Sequence, residues 1–479
     1  MRFTVENLGR LGEATIDLNK DLILLTGPNN TSKTYVAHTI YGFCRRIDSI
    51  LKDLIKRQGL PDIEAGYRAA IDLPRLLRER LAPMLAPIGE AYTRQLTDVL
   101  AADDSFTSRA RIRIEVDPGQ MERFEHALLH LEMHREFKSE GFWAMLEGGI
   151  TIEKRAGSPI TTITRMPALT GMNEPDARDP KADLAYFSSL VASFISSVLA
   201  ETVFAGAEDA CILPAERSAI QLFSRELSIK RNELVDTMAR VAGRPRDEPQ
   251  LIGEDLEWLL ARRARRYPLP IRDGLDLASN LSEVTKLKSD YASLADDLER
   301  DVMGGSIEID ENGDTRFQPS DSGTRISMHL SSSSVKALSA LSIYLRHLAR
   351  KGQILIIDEP ELNLHPDNQR RIARVLARLV RSGVKVMIST HSDYVIRELN
   401  NLIMLSADKS GNLLQKHGYR TDETLLPEQV GAYLFSATSA EPIGVDPTGV
   451  EVKTIDREIN RLNVASQDIY FSLFNARDT

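Results

Sequence analysis

The chain has 479 residues, 42% of them apolar and 27% charged, with 60 lysines and arginines against 69 aspartates and glutamates. That balance excludes a disordered, collagen-like or membrane-embedded chain, and a net charge of −9 leaves no global basic field to draw in nucleic acid. The only cysteines, Cys44 and Cys211, lie far apart, which excludes a zinc finger and a disulfide framework and fits a reducing compartment.

The start of the chain lacks the charged and apolar regions of a signal peptide, so a cytoplasmic protein is expected. Alternation predicts strands around Phe3–Leu8 and Ala14–Leu18, and the continuous apolar run Leu22–Leu25 predicts a strand buried on both faces. Strong turn residues follow, then a helix from about Lys33 to Ile47. From there to about Leu100 the pattern is helical and charged, broken at Pro61, Pro74, Pro83 and Pro87. Strands at Ile112–Val116 and Ile150–Glu153 flank a helical Met121–His134, and Gly157–Lys181 reads as a linker.

Leu184–Ala200 carries no charge but is slightly short of the ~20 residues a membrane span needs. Its small-residue face, Ser189, Ser193, Ser196 and Ala200, predicts a buried helix packed closely on its neighbours. A short strand at Ala210–Leu213 comes next, then a mostly helical stretch over 217–302 without sustained heptads. It holds the basic run Arg262, Arg263, Arg265 and Arg266, which reads either as a DNA-binding surface or as a solvated helix face around Trp258 and Tyr267. Over 305–405 strands and helices alternate: a Leu338, Leu341, Leu345, Leu348 stripe, a strand at Ile354–Ile357, a helix lined by Ile372, Leu376 and Leu379, and a strand at Val384–Ser389. The alternation predicts an α/β architecture, a parallel sheet covered by helices.

Four segments carry chemistry. Gly27-Pro28-Asn29-Asn30-Thr31-Ser32-Lys33-Thr34 sits between a buried strand and a helix, the setting a phosphate-binding loop requires. Turn amides and the helix N-terminus would face phosphates, Lys33 would neutralise β/γ oxygens and Thr34 would ligate Mg²⁺. Ser32 stands where a second glycine is usual, and serine resists positive φ more than glycine does. Asp358 and Glu359 end a buried strand, where ligands of open parallel sheets bind. Asp358 is expected to hold Mg²⁺ through water, and Glu359 to polarise the attacking water. His391 ends another buried strand, within Ser389-Thr390-His391-Ser392, and is expected to reach a γ-phosphate. Ser331, Ser332, Ser333 and Ser334 precede a helix and read as an anion site or, more plainly, as an N-cap with spare serines.

The order of these segments resembles the ABC-type ATPase heads of the SMC and RecF proteins. It is similar, more closely, to prokaryotic antiphage-defence ATPases: the OLD family, the Gabija and Septu ATPases and the ATPase subunit of PARIS. The likeness covers about 1–45 and 305–405, and Leu213-Pro214-Ala215-Glu216-Arg217-Ser218 resembles a further strand-end motif of these relatives. It implies an ABC-type head made of 1–45, a returning strand at 205–220 and a C-terminal lobe at 305–479, with helical or mixed inserts at 46–204 and 221–304. It also implies ATP and Mg²⁺ as ligands and a homo-oligomer in which two heads sandwich ATP, the serine signature of one completing the phosphate site of the other. Ser32 and the glycine-free signature depart from the family pattern and bear on hydrolysis rate. No Asp-x-Asp pair, which a Toprim nuclease needs, follows His391. The expectation is therefore a regulatory ATPase that answers a phage signal and controls a separate effector, a Toprim or HNH nuclease, as in PARIS or Septu. The alternatives are a RecF-type ATPase clamping DNA and a nucleotide-gated scaffold with negligible hydrolysis.

Overall fold

The computed structural model describes residues 1–58, 63–64, 67–137, 150–165, 180–204, 210–223, 267–451 and 453–474. Trp258 and the basic run from Arg262 to Arg266 lie outside these residues. At the centre is a nine-stranded mixed sheet. Its strands, in chain order, are β1 (Arg2–Leu8), β2 (Leu11–Asp17), β3 (Leu22–Thr26), β4 (Arg111–Glu115), β5 (Cys211–Leu213), β6 (Ile354–Asp358), β7 (Lys385–Thr390), β8 (Val430–Phe435) and β9 (Ser439–Ile443).

Across the sheet they run β5-β6-β7-β3-β8-β9-β2-β1-β4. The first five are mutually parallel, whereas β9 runs against β8 and the β2-β1-β4 edge is antiparallel. Strand β4 comes from a stretch expected as insert and pairs with β1, so that stretch contributes to the central sheet.

The apolar runs have no polar face because both faces are covered. In β3, Ile23 and Leu25 enter one core and Leu22 and Leu24 the other; in β6, Ile354 and Ile356 part in the same way from Leu355 and Ile357. Helices α1 (Lys33–Gln58) and α2 (Pro180–Val203) supply the first core. The second is built from α3 (Ser333–Ile343), α4 (Pro366–Arg381) and α5 (Asp393–Met404). Each fully buried aliphatic side chain contributes roughly 1.5–3 kcal/mol, so these two layers fix the central strands firmly.

Leu184–Val203 is long and apolar enough to cross a membrane, but half of it is buried inside the fold. Ser196 and Ala200 are fully buried, and the Ser196 hydroxyl donates to Asp48 on α1 at 2.6 Å, whereas Ser189 and Ser193 are half-buried, so the small-residue face packs closely over its second half only. Three local readings are corrected. Helix α1 continues to Gln58, held by Ile50, Leu51 and Ile55 in the first core. The stretch read as helical before Leu100 includes the strand Arg68–Asp72, and the linker includes the strand Ile160–Arg165. These two pair in a smaller five-stranded antiparallel sheet, which buries Ala69, Ile71 and Ile163. The last of the described residues form α6 (Lys453–Phe474).

Candidate functional site

Register brings the predicted segments together. In the parallel ladder Thr26 faces Thr390 across β3 and β7, and Asp358 faces Ser389 across β7 and β6. The loop after β3, the acidic end of β6 and His391 after β7 therefore meet at one edge of the sheet.

The loop after β3 is a tight cradle. Gly27 has φ +136°, and a Cβ there would lie 2.3 Å from the Phe435 carbonyl oxygen, so only glycine fits. Asn30 and Ser32 are also left-handed, with φ +60° and +69°. Ser32 thus adopts the conformation that a glycine would take freely, at a strain on the order of 1 kcal/mol. The Lys33 ammonium is buried in the loop and donates to the carbonyls of Gly27 at 3.1 Å and Pro28 at 2.7 Å and to Thr31 Oγ1 at 3.3 Å. Burial lowers its pKa to about 8, against the opposing pull of Asp358, Glu359 and Glu361. The first turn of α1 holds no acidic residue, so the partial positive charge of its N-terminus is left uncancelled.

Thr34 Oγ1 donates to Asp358 Oδ2 at 2.8 Å, and the Ser389 hydroxyl donates to the other Asp358 oxygen. A threonine hydroxyl and a buried carboxylate in contact are hard oxygen donors of the kind Mg²⁺ takes, so the residues present fit that ion.

Glu359 has φ +49°, rare for a residue with a side chain. Its N–H donates to the Ser389 carbonyl at 3.0 Å, and its carbonyl accepts from Arg217 at 2.7 Å, so the strained turn is pinned from both sides. Burial, then the charges of Asp358 and Glu361, raise the Glu359 pKa. His391 Nε2 lies 4.0 Å from Glu359 Oε1. Burial, then Lys33, lowers the His391 pKa, which favours the neutral ring beside the loop.

The serine segment is resolved residue by residue. Ser332 is the N-cap of α3, accepting from the Val335 N–H at 3.3 Å, and its hydroxyl meets that of Ser334 at 2.9 Å. Ser333 is exposed. Ser331 is buried, 8% accessible, with its hydroxyl on the Ser327 carbonyl at 3.2 Å, so of the four it faces inward.

Two residues without an assigned sequence role hold the site. Arg217, 3% accessible, donates to the carbonyls of Pro214, Ala337, Asp358 and Glu359. It lies within the quoted strand-end motif, but no spacing could show that its target is backbone. Glu361 Oε1 accepts from Thr390 Oγ1 at 2.7 Å and from the His391 N–H at 2.9 Å, tying the ends of β6 and β7 together. Arg217→Met should cost on the order of 3 kcal/mol or more, because several buried carbonyls lose their donor at ~1–3 kcal/mol each. Urea unfolding measures this, and a loss under about 1 kcal/mol would mean that the carbonyls find other partners.

The family model of the AAA ATPase domain matches residues 274–396, which include the serine segment, the acidic strand end and His391 but not the phosphate loop. Over 86 residues the chain is 34% identical to the energy-coupling factor transporter ATP-binding protein EcfA of Methanothermobacter thermautotrophicus, a stretch covering 18% of this chain and 26% of that protein. Over 69 residues it is 35% identical to the Old nuclease of Escherichia phage P2, covering 14% of this chain and 12% of that one. The chain thus spans about a quarter or less of the length of these curated relatives. Among solved structures it is similar to the SMC head bound to the C-winged helix domain of ScpA, at 11% identity and a TM-score of 0.33, with 92% of this chain and 96% of that one covered. The SMC head domain from Thermotoga maritima follows at 10% identity and a TM-score of 0.30, covering 93% and 98%. The matched segment includes the acidic strand end and His391 of a mixed α/β fold, and this likeness to an AAA ATPase domain supports an ATPase.

Proposed function

We propose that the chain binds and hydrolyses ATP with Mg²⁺, pairs through its heads, and serves as the regulatory subunit of an antiphage system that controls a separate effector, a nuclease. The observation that carries the ATPase part is the register that sets Lys33, Thr34, Asp358, Glu359 and His391 at one sheet edge. Gly27 and residues Asn29 to Ser32 wrap the phosphates with backbone amides, Pro28 having none to give, while Lys33 turns from the loop carbonyls to the β/γ oxygens. Thr34 and Asp358 would hold the metal, which would supply positive charge to offset that of the phosphate oxygens. Glu359, fixed by its left-handed turn, orients the attacking water and accepts its proton. His391 contacts the terminal phosphate. What supports the defence role is the 69-residue likeness to the Old nuclease of a phage.

In this reading the second half of each phosphate site comes from another copy, through the N-terminus of α3 with Ser332, Ser333 and Ser334. Ser333 is the clean probe because it is exposed, whereas a large side chain at buried Ser331 would disturb the local packing. Ser333→Arg is expected to leave ATP binding by a single chain nearly unchanged while abolishing ATP-driven pairing and hydrolysis. Co-expressed with Lys33→Ala, it should regain part of the activity, since one composite site then has both halves intact. A mixed assembly of proven composition that stays inactive would sink the shared-site reading. For the effector, the measurement is co-purification with, and nucleotide-dependent release of, a nuclease encoded beside this chain. If no such nuclease is retained in any nucleotide state, the regulatory role fails while the ATPase assignment stands.

A further inference from the structure

A polar atom buried without a hydrogen-bond partner costs stability, so its retention calls for a purpose. Among the described residues His38 is the one histidine so placed. It lies on α1 at 5% accessibility, and its Nε2 has no hydrogen-bond partner. A buried hydroxyl such as Thr39 Oγ1 can swing its proton toward a nearby carbonyl, whereas an imidazole keeps its one donor and one acceptor in fixed directions. Tyr41, also buried on this helix, is satisfied by contrast, donating to Asp273 at 2.5 Å.

Position gives the nitrogen that purpose. His38 follows Thr34 by four residues, so the two share one face of α1, with His38 about 6 Å further from the phosphate loop. Thr34 is the residue whose hydroxyl touches Asp358. Asp358 is also the charge that acts on the His38 ring, pulling its pKa upward against the burial that takes it down to about 4. The ring is therefore neutral, with one N–H to give, near a carboxylate that is 3% accessible.

That carboxylate has room for the proton. Its two oxygens offer about four lone-pair positions. The Thr34 hydroxyl takes one on Oδ2 and the Ser389 hydroxyl one on Oδ1. A metal, or water bound to it, would take a third, which leaves one for a further donor. Such outer partners set the direction in which a metal-holding carboxylate points.

We propose that His38 is a positioning residue for Asp358: with nucleotide and metal bound, its Nε2–H donates to the carboxylate from the side away from the loop and holds it toward the metal. The inference rests on the Mg²⁺·ATP site proposed above and adds to it a residue behind Thr34 and Asp358. The bond offsets a cost that the fold otherwise carries.

The test compares the full chain with His38→Leu, which keeps a side chain of similar volume without the nitrogen, and with His38→Gln, whose amide can place a donor near Nε2. Urea unfolding without nucleotide should give His38→Leu a midpoint equal to or above that of the parent chain, because an unpaired buried nitrogen has gone. Mn²⁺ binding in the presence of ADP, read by electron paramagnetic resonance, should weaken about tenfold or more in His38→Leu and recover in His38→Gln. ADP affinity measured in EDTA should be the same in all three chains. A lower midpoint for His38→Leu, or its failure to fold, would make the ring a packing residue and overturn the inference. Unchanged Mn²⁺ affinity overturns it too, as does a weakening that glutamine does not recover, and in both cases the ATPase reading stands. If the parent chain binds ADP neither with Mn²⁺ nor in EDTA, the ATPase reading itself fails and the inference falls with it.

Discussion

Lys33→Ala should lower ATP affinity roughly a thousandfold or more, because two or three charge-assisted hydrogen bonds of ~1.5–3 kcal/mol each lose their donor. The fold should survive, since among the described residues the ammonium bonds to its own loop alone: Gly27, Pro28 and Thr31. Fluorescent-nucleotide titration measures the loss, and unchanged affinity would refute the phosphate-loop assignment. The same lysine sets a pH dependence. In the empty site its pKa is lowered to about 8 by burial, and phosphate oxygens would raise it again. Below about pH 8 the lysine is already charged and ATP binds without taking up a proton. Above that pH binding must recruit one, so affinity should fall by up to about tenfold per pH unit. Calorimetry in buffers of different ionisation enthalpy should show proton uptake growing as the pH rises from 7 to 9.

Glu359→Gln should slow hydrolysis by ~10²–10⁴-fold with little change in ATP affinity. The amide keeps the side chain's shape, and the residue is held through backbone hydrogen bonds to Ser389 and Arg217 that do not involve the carboxylate. ATP should therefore remain bound, and under the proposed pairing the two copies should remain together. Single-turnover hydrolysis separates the two effects. Loss of binding instead of trapping would move Glu359 from catalysis to structure. Its carboxyl is held above the usual range by burial and by Asp358 and Glu361, so the free site should work best once the pH is high enough to ionise it.

The strands that matter most for chemistry were the most legible. Leu22–Leu25, Ile354–Ile357 and Val386–Ile388 are unbroken apolar runs because each lies between two cores, and the polar residues that end them stand out by contrast. Their order across the sheet was not legible. Strand β7 separates β3 from β6, and β8, from a tail that gives no motif, lies on the other flank of β3. Such order is set by crossovers between segments hundreds of residues apart. Arg68-Ala69-Ala70-Ile71-Asp72 was missed as a strand because alanine has little preference for sheets, and pairing with Ile160–Arg165 decides it. Arg217 and Glu361 gave no signal of their roles, since an arginine aimed at carbonyls and a glutamate aimed at an N–H look like any other charged residue in a sequence.

Arg217 also joins two parts of the machine that a partner would address separately. One guanidinium holds the Ala337 carbonyl inside α3 at 2.9 Å and the Asp358 and Glu359 carbonyls, both at 2.7 Å. Helix α3 begins at the exposed serines, and Glu359 is the residue whose backbone already sits in an unfavourable region. A rigid planar fork cannot follow two anchors that move apart. If docking shifts the start of α3 by a fraction of an ångström, either a buried bond stretches or the turn carrying Glu359 shifts with the helix. The arginine thus behaves as a short crank, and under the proposed pairing of two copies the aim of the carboxylate would become a mechanical reading of whether the second copy is docked.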